Sequence, residues 1–237
     1  MILILFDIDG TLISTDGAGM RAFRSAMYDA CGFKFESDFI RPDGKTDPLI
    51  LKEFLQSCEP RGLSFNSLRD AVFGKYLVYL EREMNRARET GMIRILPGVA
   101  DLLETMRLQP DIAVGLVTGN LQDGARIKLK HAGLEHYFHF GGFGSDSEDR
   151  TLLTRIGIQR GIQHALPAQV DGSIVVGDTP LDIEHGRAAG AGVLSVASGR
   201  YSVDDLHACN PDLVLPDLTP VKTILSFIRN YGNNRGK

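Results

Sequence analysis

Three short stretches collect carboxylates, hydroxyls and glycines just after apolar runs. The first is Asp7-Ile8-Asp9-Gly10-Thr11, behind Ile2–Phe6. Two carboxylates crowded at one turn repel unless a cation offsets them. Gly10 permits a sharp turn that brings backbone N–H groups towards an anion. The alternative is an Asp-Gly turn with both aspartates solvated. The second stretch is Thr118-Gly119-Asn120. A hydroxyl, a glycine and an amide make a hydrogen-bonding cradle for phosphate. An ordinary turn into a capped helix would use the same residues. The third is Gly177-Asp178-Thr179-Pro180-Leu181-Asp182. Asp182 follows Asp178 by about one helical turn. Hard oxygen ligands of this kind, with water and phosphate, are what magnesium prefers. Capping by Asp178 with a solvated Asp182 is the alternative, weakened because the same chemistry recurs a third time.

Positioning these stretches requires a parallel sheet. Apolar runs at Ile2–Phe6, Ile112–Val117, Tyr137–Phe140, Ile174–Val176, Val193–Val196 and Leu213–Leu215 predict strands, with helical stretches between them. Ligands of an open parallel sheet bind outside its carboxyl ends, where all three stretches fall. Helices are predicted at Leu121–Ala132 and Pro180–Ala189, stopped by Gly133 and Gly190. Pro180 suits a first helical turn. Between Ile2–Phe6 and Ile112 no strand is predicted, only about three helices. One spans Ala18–Cys31, with Ala22, Phe23, Ala26, Met27 and Ala30 on one face. A second starts at Asp47-Pro48 with Asp47 as N-cap and carries Leu51, Phe54 and Leu55. A third runs from Ser67 to Thr90, closed by Gly91. That is more than one crossover needs. The fold class is therefore α/β: a Rossmann-like parallel-sheet core, residues 1–14 and 92–237, with an inserted α-helical cap, residues 15–91. Leu96-Pro97-Gly98 marks the return to the core. The polar tail Asn230–Lys237 is expected to fray.

The chain has 237 residues, 43% of them hydrophobic and 24% charged, and a net charge of −4. Nucleic acid and anionic membranes call for a basic face, so neither is expected as a partner. Cys31, Cys58 and Cys209 form no CxxC pair or zinc spacing and read as buried reduced thiols in a cytoplasmic protein. The apolar N-terminus is too short for a signal sequence or a spanning helix. The histidines, His131, His136, His139, His164, His185 and His207, show no metal or triad motif and read as structural or solvated. Phe65, Phe73, Tyr76 and Tyr79 lie at helical spacings and read as core rather than ligand contacts.

Asp7–Thr11, Thr118 and Gly177–Asp182, in that order, resemble the motifs of the haloacid dehalogenase superfamily. The resemblance covers the core, and the helical insertion is similar to that family's cap. It implies Asp7 as nucleophile towards phosphorus and Asp9 as the acid and base for the leaving alcohol and for water. It implies Mg2+ held by Asp7, the Asp9 carbonyl and Asp178, with Asp182 further out, and Thr118 on a phosphoryl oxygen. Gly10, Gly119 and Asn120 complete the phosphate cradle. The family's third motif supplies a cation, but its usual Lys-Pro is absent here. Arg150, at a helix start in the expected place, is favoured over Lys128, whose alternative is a solvated helix face; the alternative for Arg150 is a surface ion pair. Lys45, in Gly44-Lys45-Thr46-Asp47, either meets a substrate anion from the cap or is an exposed loop lysine. The implied activity is a phosphatase for a small phosphate monoester, phosphoglycolate first among named substrates. A β-phosphoglucomutase-like mutase is the alternative. A 2-haloacid dehalogenase is disfavoured by Asp9, and a non-catalytic scaffold by the retention of Asp7 and Asp9. Monomer and homodimer both stay open.

Overall fold

The computed structural model describes residues 1–32, 42–58 and 65–235; within these, the side chains of Cys31, Ser57, Cys58, Phe65, Ser67, Asn233, Asn234 and Arg235 lie outside the described set. The sheet is built on β1 (Ile2–Phe6), all five residues of which are buried. Its side chains alternate, as a strand's must. Ile2, Ile4 and Phe6 enter one apolar layer, and Leu3 and Leu5 the other. On either side run β4 (Ile112–Thr118) and β6 (Gly172–Gly177), both parallel to β1. Beyond them lie β5 (Gly141–Phe143), β7 (Gly192–Val196) and β8 (Leu213–Leu215), in the order β5-β4-β1-β6-β7-β8. Phe6 is level with Leu116 and with Val176. This register brings the three motifs to one height at the carboxyl end of adjacent strands.

Helices α4 (Val99–Arg107), α5 (Gln122–Ala132), α6 (Arg150–Ala165), α7 (Pro180–Ala188), α8 (Val203–Ala208) and α9 (Val221–Arg235) connect and flank these strands. The insertion carries α1 (Ala18–Cys31), α2 (Asp47–Cys58) and α3 (Phe65–Glu89). Phe23, Met27, Leu51, Phe54, Val72, Tyr76 and Leu80 form its own apolar cluster, which Leu121 of the core joins. Its stem is a pair of short antiparallel strands, β2 (Ile13–Ser14) and β3 (Arg94–Ile95). Among the described residues, no helix is long and apolar enough to cross a membrane.

Several expectations need correction. The predicted strand at Tyr137–Phe140 is displaced to Gly141–Phe143, and Tyr137 closes a 3-10 turn. Gly142 packs against the Leu153 carbonyl so closely that a β-carbon would collide with it. Glycine is there for that approach, and its low strand propensity hid the strand. The stem strands are two residues each, too short to show a period. Asp47 is not the N-cap of α2: the Thr46 hydroxyl accepts from the Leu49 N–H at 3.3 Å. The expected frayed tail is helical to Arg235, anchored by buried Ile224 and Ile228; residues 236–237 lie outside the described set. Cys209 is exposed, not buried.

Candidate active site

Asp7 leaves β1 with its N–H bonded to the Val176 carbonyl at 2.9 Å, which extends the sheet by one residue. The chain then turns at Gly10, whose φ is 83°. A β-carbon there would strike the Asp178 carboxylate, so the turn and the close approach both demand glycine. The Thr11 hydroxyl donates to Asp178 Oδ1 at 2.9 Å. Asp182 lies in the first turn of α7, where Thr179 donates to its Oδ2 from the backbone at 3.0 Å and from the hydroxyl at 2.7 Å. This is a capping box with Asp in the acidic position. Asp7, Asp178 and Asp182 are all buried, and each offers an oxygen within 4.8 Å of the others.

Arg150 opens α6, behind Asp149, which caps that helix by accepting from Thr151 and Leu152. Only 5% of the Arg150 side chain is exposed. One guanidinium nitrogen donates to Asp182 Oδ1 at 2.5 Å and lies 3.4 Å from Asp7 Oδ2. The other donates to the Gly44 carbonyl at 2.9 Å. Burial disfavours its charge, but Asp182 and Asp7 more than offset this and hold the arginine firmly protonated. One cation does not neutralise three carboxylates. Burial pushes the Asp7 carboxyl up to about 6; Arg150 pulls it down, while Asp182 and Asp9 push it up. Burial, then Asp182 and Asp7, push Asp178 well up. A buried, over-negative cluster of carboxylate oxygens at the cavity wall fits a hard divalent cation such as magnesium.

Asp9 stands apart from that cluster. Its side chain is 45% exposed, and the Lys128 ammonium donates to both its oxygens, at 2.8 and 2.6 Å. Asn120 Nδ2 donates to Asp9 Oδ2 at 2.8 Å and to the Thr118 hydroxyl at 2.8 Å, and Asn120 Oδ1 accepts from Lys128 at 2.7 Å. Desolvation pushes Asp9 up, but the Lys128 charge and the hydrogen bonds from Lys128 and Asn120 outweigh it and hold the carboxyl below its usual range. Arg150 and Lys128 are therefore not rivals for one position. Arg150 serves Asp7 and Asp182; Lys128, buried rather than on a solvated helix face, serves Asp9.

The insertion closes over these groups. The Gly119 carbonyl accepts from the Asp47 N–H at 2.8 Å, and the Lys45 carbonyl sits where a β-carbon of residue 119 would be. The Asp47 carboxylate accepts from the Leu121 N–H at 2.8 Å, so it caps the core helix α5 instead of its own. Burial pushes Asp47 up to about 6; Lys128 and the Leu121 N–H pull it down, and Asp9 pushes it up. Lys45 lines the cavity, but its ammonium is bound to Glu53 at 2.6 Å. The cavity between insertion and core is about 280 Å3 and opens to solvent. Asp7, Asp9, Thr118, Asn120 and Asp178 face it from the strand ends, and Met20, Phe23, Ile50 and Tyr76 from the insertion. Asp47 and Tyr76 escaped the sequence reading as site residues. Nothing in helical spacing says which buried side chain also borders a cavity, so Tyr76, read as core alone, is also a wall residue.

A family model described as haloacid dehalogenase-like hydrolase matches residues 4–196, well over half of the chain. The chain belongs to the haloacid dehalogenase-like hydrolases. This hydrolase is 25% identical over 222 residues to a pyrophosphatase, PpaX, of Listeria welshimeri, covering 94% of its own length and 95% of the relative's. Among solved structures, it is similar to a β-phosphoglucomutase from Clostridium difficile, with a TM-score of 0.70 at 18% identity and coverage of 98% and 99%. It is also similar to a predicted phosphoglycolate phosphatase from Haemophilus somnus, with a TM-score of 0.66 at 18% identity and coverage of 94% and 97%. At these identities the two structures speak for the fold: a parallel core with a helical cap.

Proposed function

We propose that this hydrolase is a magnesium-dependent phosphatase that releases phosphate from a small monoester through an aspartyl-phosphate on Asp7. The observation that carries the reading is the buried cluster of Asp7, Asp178 and Asp182, with Arg150 against it and Asp9 at the mouth. Residues 15–91 are taken as the cap and residues 1–14 and 92–237 as the core. Asp7, the Asp9 carbonyl and Asp178 would hold the ion, with Asp182 behind them. When bound, magnesium supplies positive charge that offsets repulsion between an anionic nucleophile and an anionic phosphate.

An Asp7 oxygen attacks phosphorus, and the bond from phosphorus to the leaving oxygen breaks. Asp9 gives its proton to that oxygen and then takes one from the water that hydrolyses the acyl phosphate. The arriving phosphate adds negative charge beside Asp9 and raises its pKa towards the protonated form the first step uses. Lys128 and Asn120 orient the Asp9 carboxylate meanwhile. Thr118 and the backbone at Gly10 and Gly119 cradle the phosphoryl oxygens, and Asn120, donating to the Thr118 hydroxyl oxygen, leaves that hydroxyl's proton for them. Arg150 anchors Asp182 and offsets charge on Asp7. The insertion, lying over the site, limits the access of bulk water to the acyl phosphate.

The test is a phosphate-release screen over small monoesters, phosphoglycolate included, and over the anhydride pyrophosphate, with and without magnesium, for wild type and Asp7→Asn. Magnesium-dependent release that the variant loses is expected. Unchanged release by Asp7→Asn would remove the nucleophile. A sugar bisphosphate that starts turnover of a sugar monophosphate without net phosphate release would turn the reading to a mutase.

A further inference from the structure

Tyr76 presents an unexplained polar group. It is 2% exposed, sits in the apolar cluster of the insertion, and lines the cavity above Asp9. Its ring packs edge-on against Phe23, with centroids 5.1 Å apart. Among the described residues its hydroxyl has no hydrogen-bond partner, and it is not one of the unpaired polar atoms sealed within packed protein. The oxygen therefore opens on the cavity. Buried phenols are normally paired, so a leaving group that displaces cavity water from this hydroxyl must take over its hydrogen bond or leave the donor unpaired at a cost. Burial, with Asp47 and Asp9 nearby, keeps the phenol protonated and hence a donor.

The charges around it narrow what that partner is. Among the described residues, each cation lining the cavity is already held by a carboxylate: Lys45 by Glu53 at 2.6 Å, Lys128 by Asp9 at 2.6 Å, and Arg150 by Asp182 at 2.5 Å. Asp16 and Asp47 add negative charge to the wall, while Asp43 is paired with Arg200 at 3.1 Å. A carboxylate or a second phosphate on the leaving group would meet no uncommitted positive charge among these described residues. Met20, Phe23 and Ile50 supply apolar surface beside the phenol.

We propose that Tyr76 is a specificity-determining residue whose hydroxyl donates a hydrogen bond to an uncharged oxygen on the leaving group of the phosphate ester. It selects hydroxylated leaving groups over alkyl groups of the same length and over anionic ones. The inference rests on the phosphatase reading above and deepens it. A site built to bond a substrate oxygen rejects the analogue that lacks it, because the buried donor is then left unpaired.

The test compares glycerol 1-phosphate with propyl phosphate, which share a three-carbon chain, and with phosphoglycolate, using wild type and Tyr76→Phe with magnesium. Wild type is expected to prefer glycerol 1-phosphate to both others. Tyr76→Phe should lower kcat/KM on glycerol 1-phosphate about tenfold and leave propyl phosphate within about twofold, the effect of one lost hydrogen bond. Propyl phosphate thus serves as the internal control for folding. Equal losses on both esters would assign Tyr76 a packing role and overturn the inference, as would no loss on either. Faster turnover of phosphoglycolate than of glycerol 1-phosphate by wild type would overturn its charge argument. No release from any ester by wild type would instead fell the phosphatase reading, and this inference with it.

Discussion

Replacing Arg150 with methionine tests the electrostatics of the cluster most severely. The guanidinium lies 2.5 Å from Asp182 and 3.4 Å from Asp7, and its side chain is 5% exposed. At an effective dielectric of about 20, those separations correspond to attractions of about 7 and about 5 kcal/mol. Much of this is offset by the desolvation the arginine no longer suffers. Deleting one partner of a buried pair typically costs about 3–5 kcal/mol, because the remaining charges stay buried. Arg150→Met should therefore lose about that much stability in urea unfolding with chelator present. Magnesium should recover part of the loss, since a ligand at 100 times its dissociation constant adds about 2.7 kcal/mol. Phosphate release should fall by about 10²–10³, the usual effect of removing one preorganised charge contact. A deficit under about 1 kcal/mol in chelator, or one that magnesium leaves unchanged, would refute the claim that a cation must offset these carboxylates.

Asp47 and Gly119 give two further expectations. A carboxyl raised to about 6 binds its proton more tightly folded than unfolded, so ionisation costs stability as pH rises from about 4 through 6. Asp47→Asn cannot ionise yet keeps an oxygen for the Leu121 N–H. Relative to wild type it should gain up to about 3 kcal/mol between about pH 4 and about pH 8, read by urea unfolding at both; a shift against the variant would contradict this. Gly119→Ala would drive a β-carbon into the Lys45 carbonyl. It should cost about 1–3 kcal/mol and raise KM by displacing the insertion, and unchanged melting and KM would show that the contact does not hold the cap shut.

The strand-end motifs were legible because they are local. Asp7, Thr118 and Asp178 each follow a buried run of a parallel sheet, and register alone brings them together. The partners of those motifs were less legible. Arg150 has acidic neighbours in sequence that suggested a surface pair, yet they are engaged elsewhere: Asp146 with Arg160, Glu148 with Lys52, Asp149 as a helix cap. Lys128 reaches Asp9 only because α5 packs behind the site, which spacing along one helix does not reveal. Asp47 had the right type for a cap, but the helix it caps belongs to the core, 74 residues away in sequence. Such long-range pairings are set by packing of the insertion on the core, and a single sequence carries no local trace of them.

The central claim is that the carboxylate of Asp7 takes the phosphoryl group. Rapid acid quenching during turnover, followed by peptide mass spectrometry, measures this directly. A phosphoryl group on the peptide holding Asp7, dependent on magnesium and missing from Asp7→Asn, is the predicted result. Sustained phosphate release with no phosphorylated enzyme in the quench, or with the group on another residue, would contradict it.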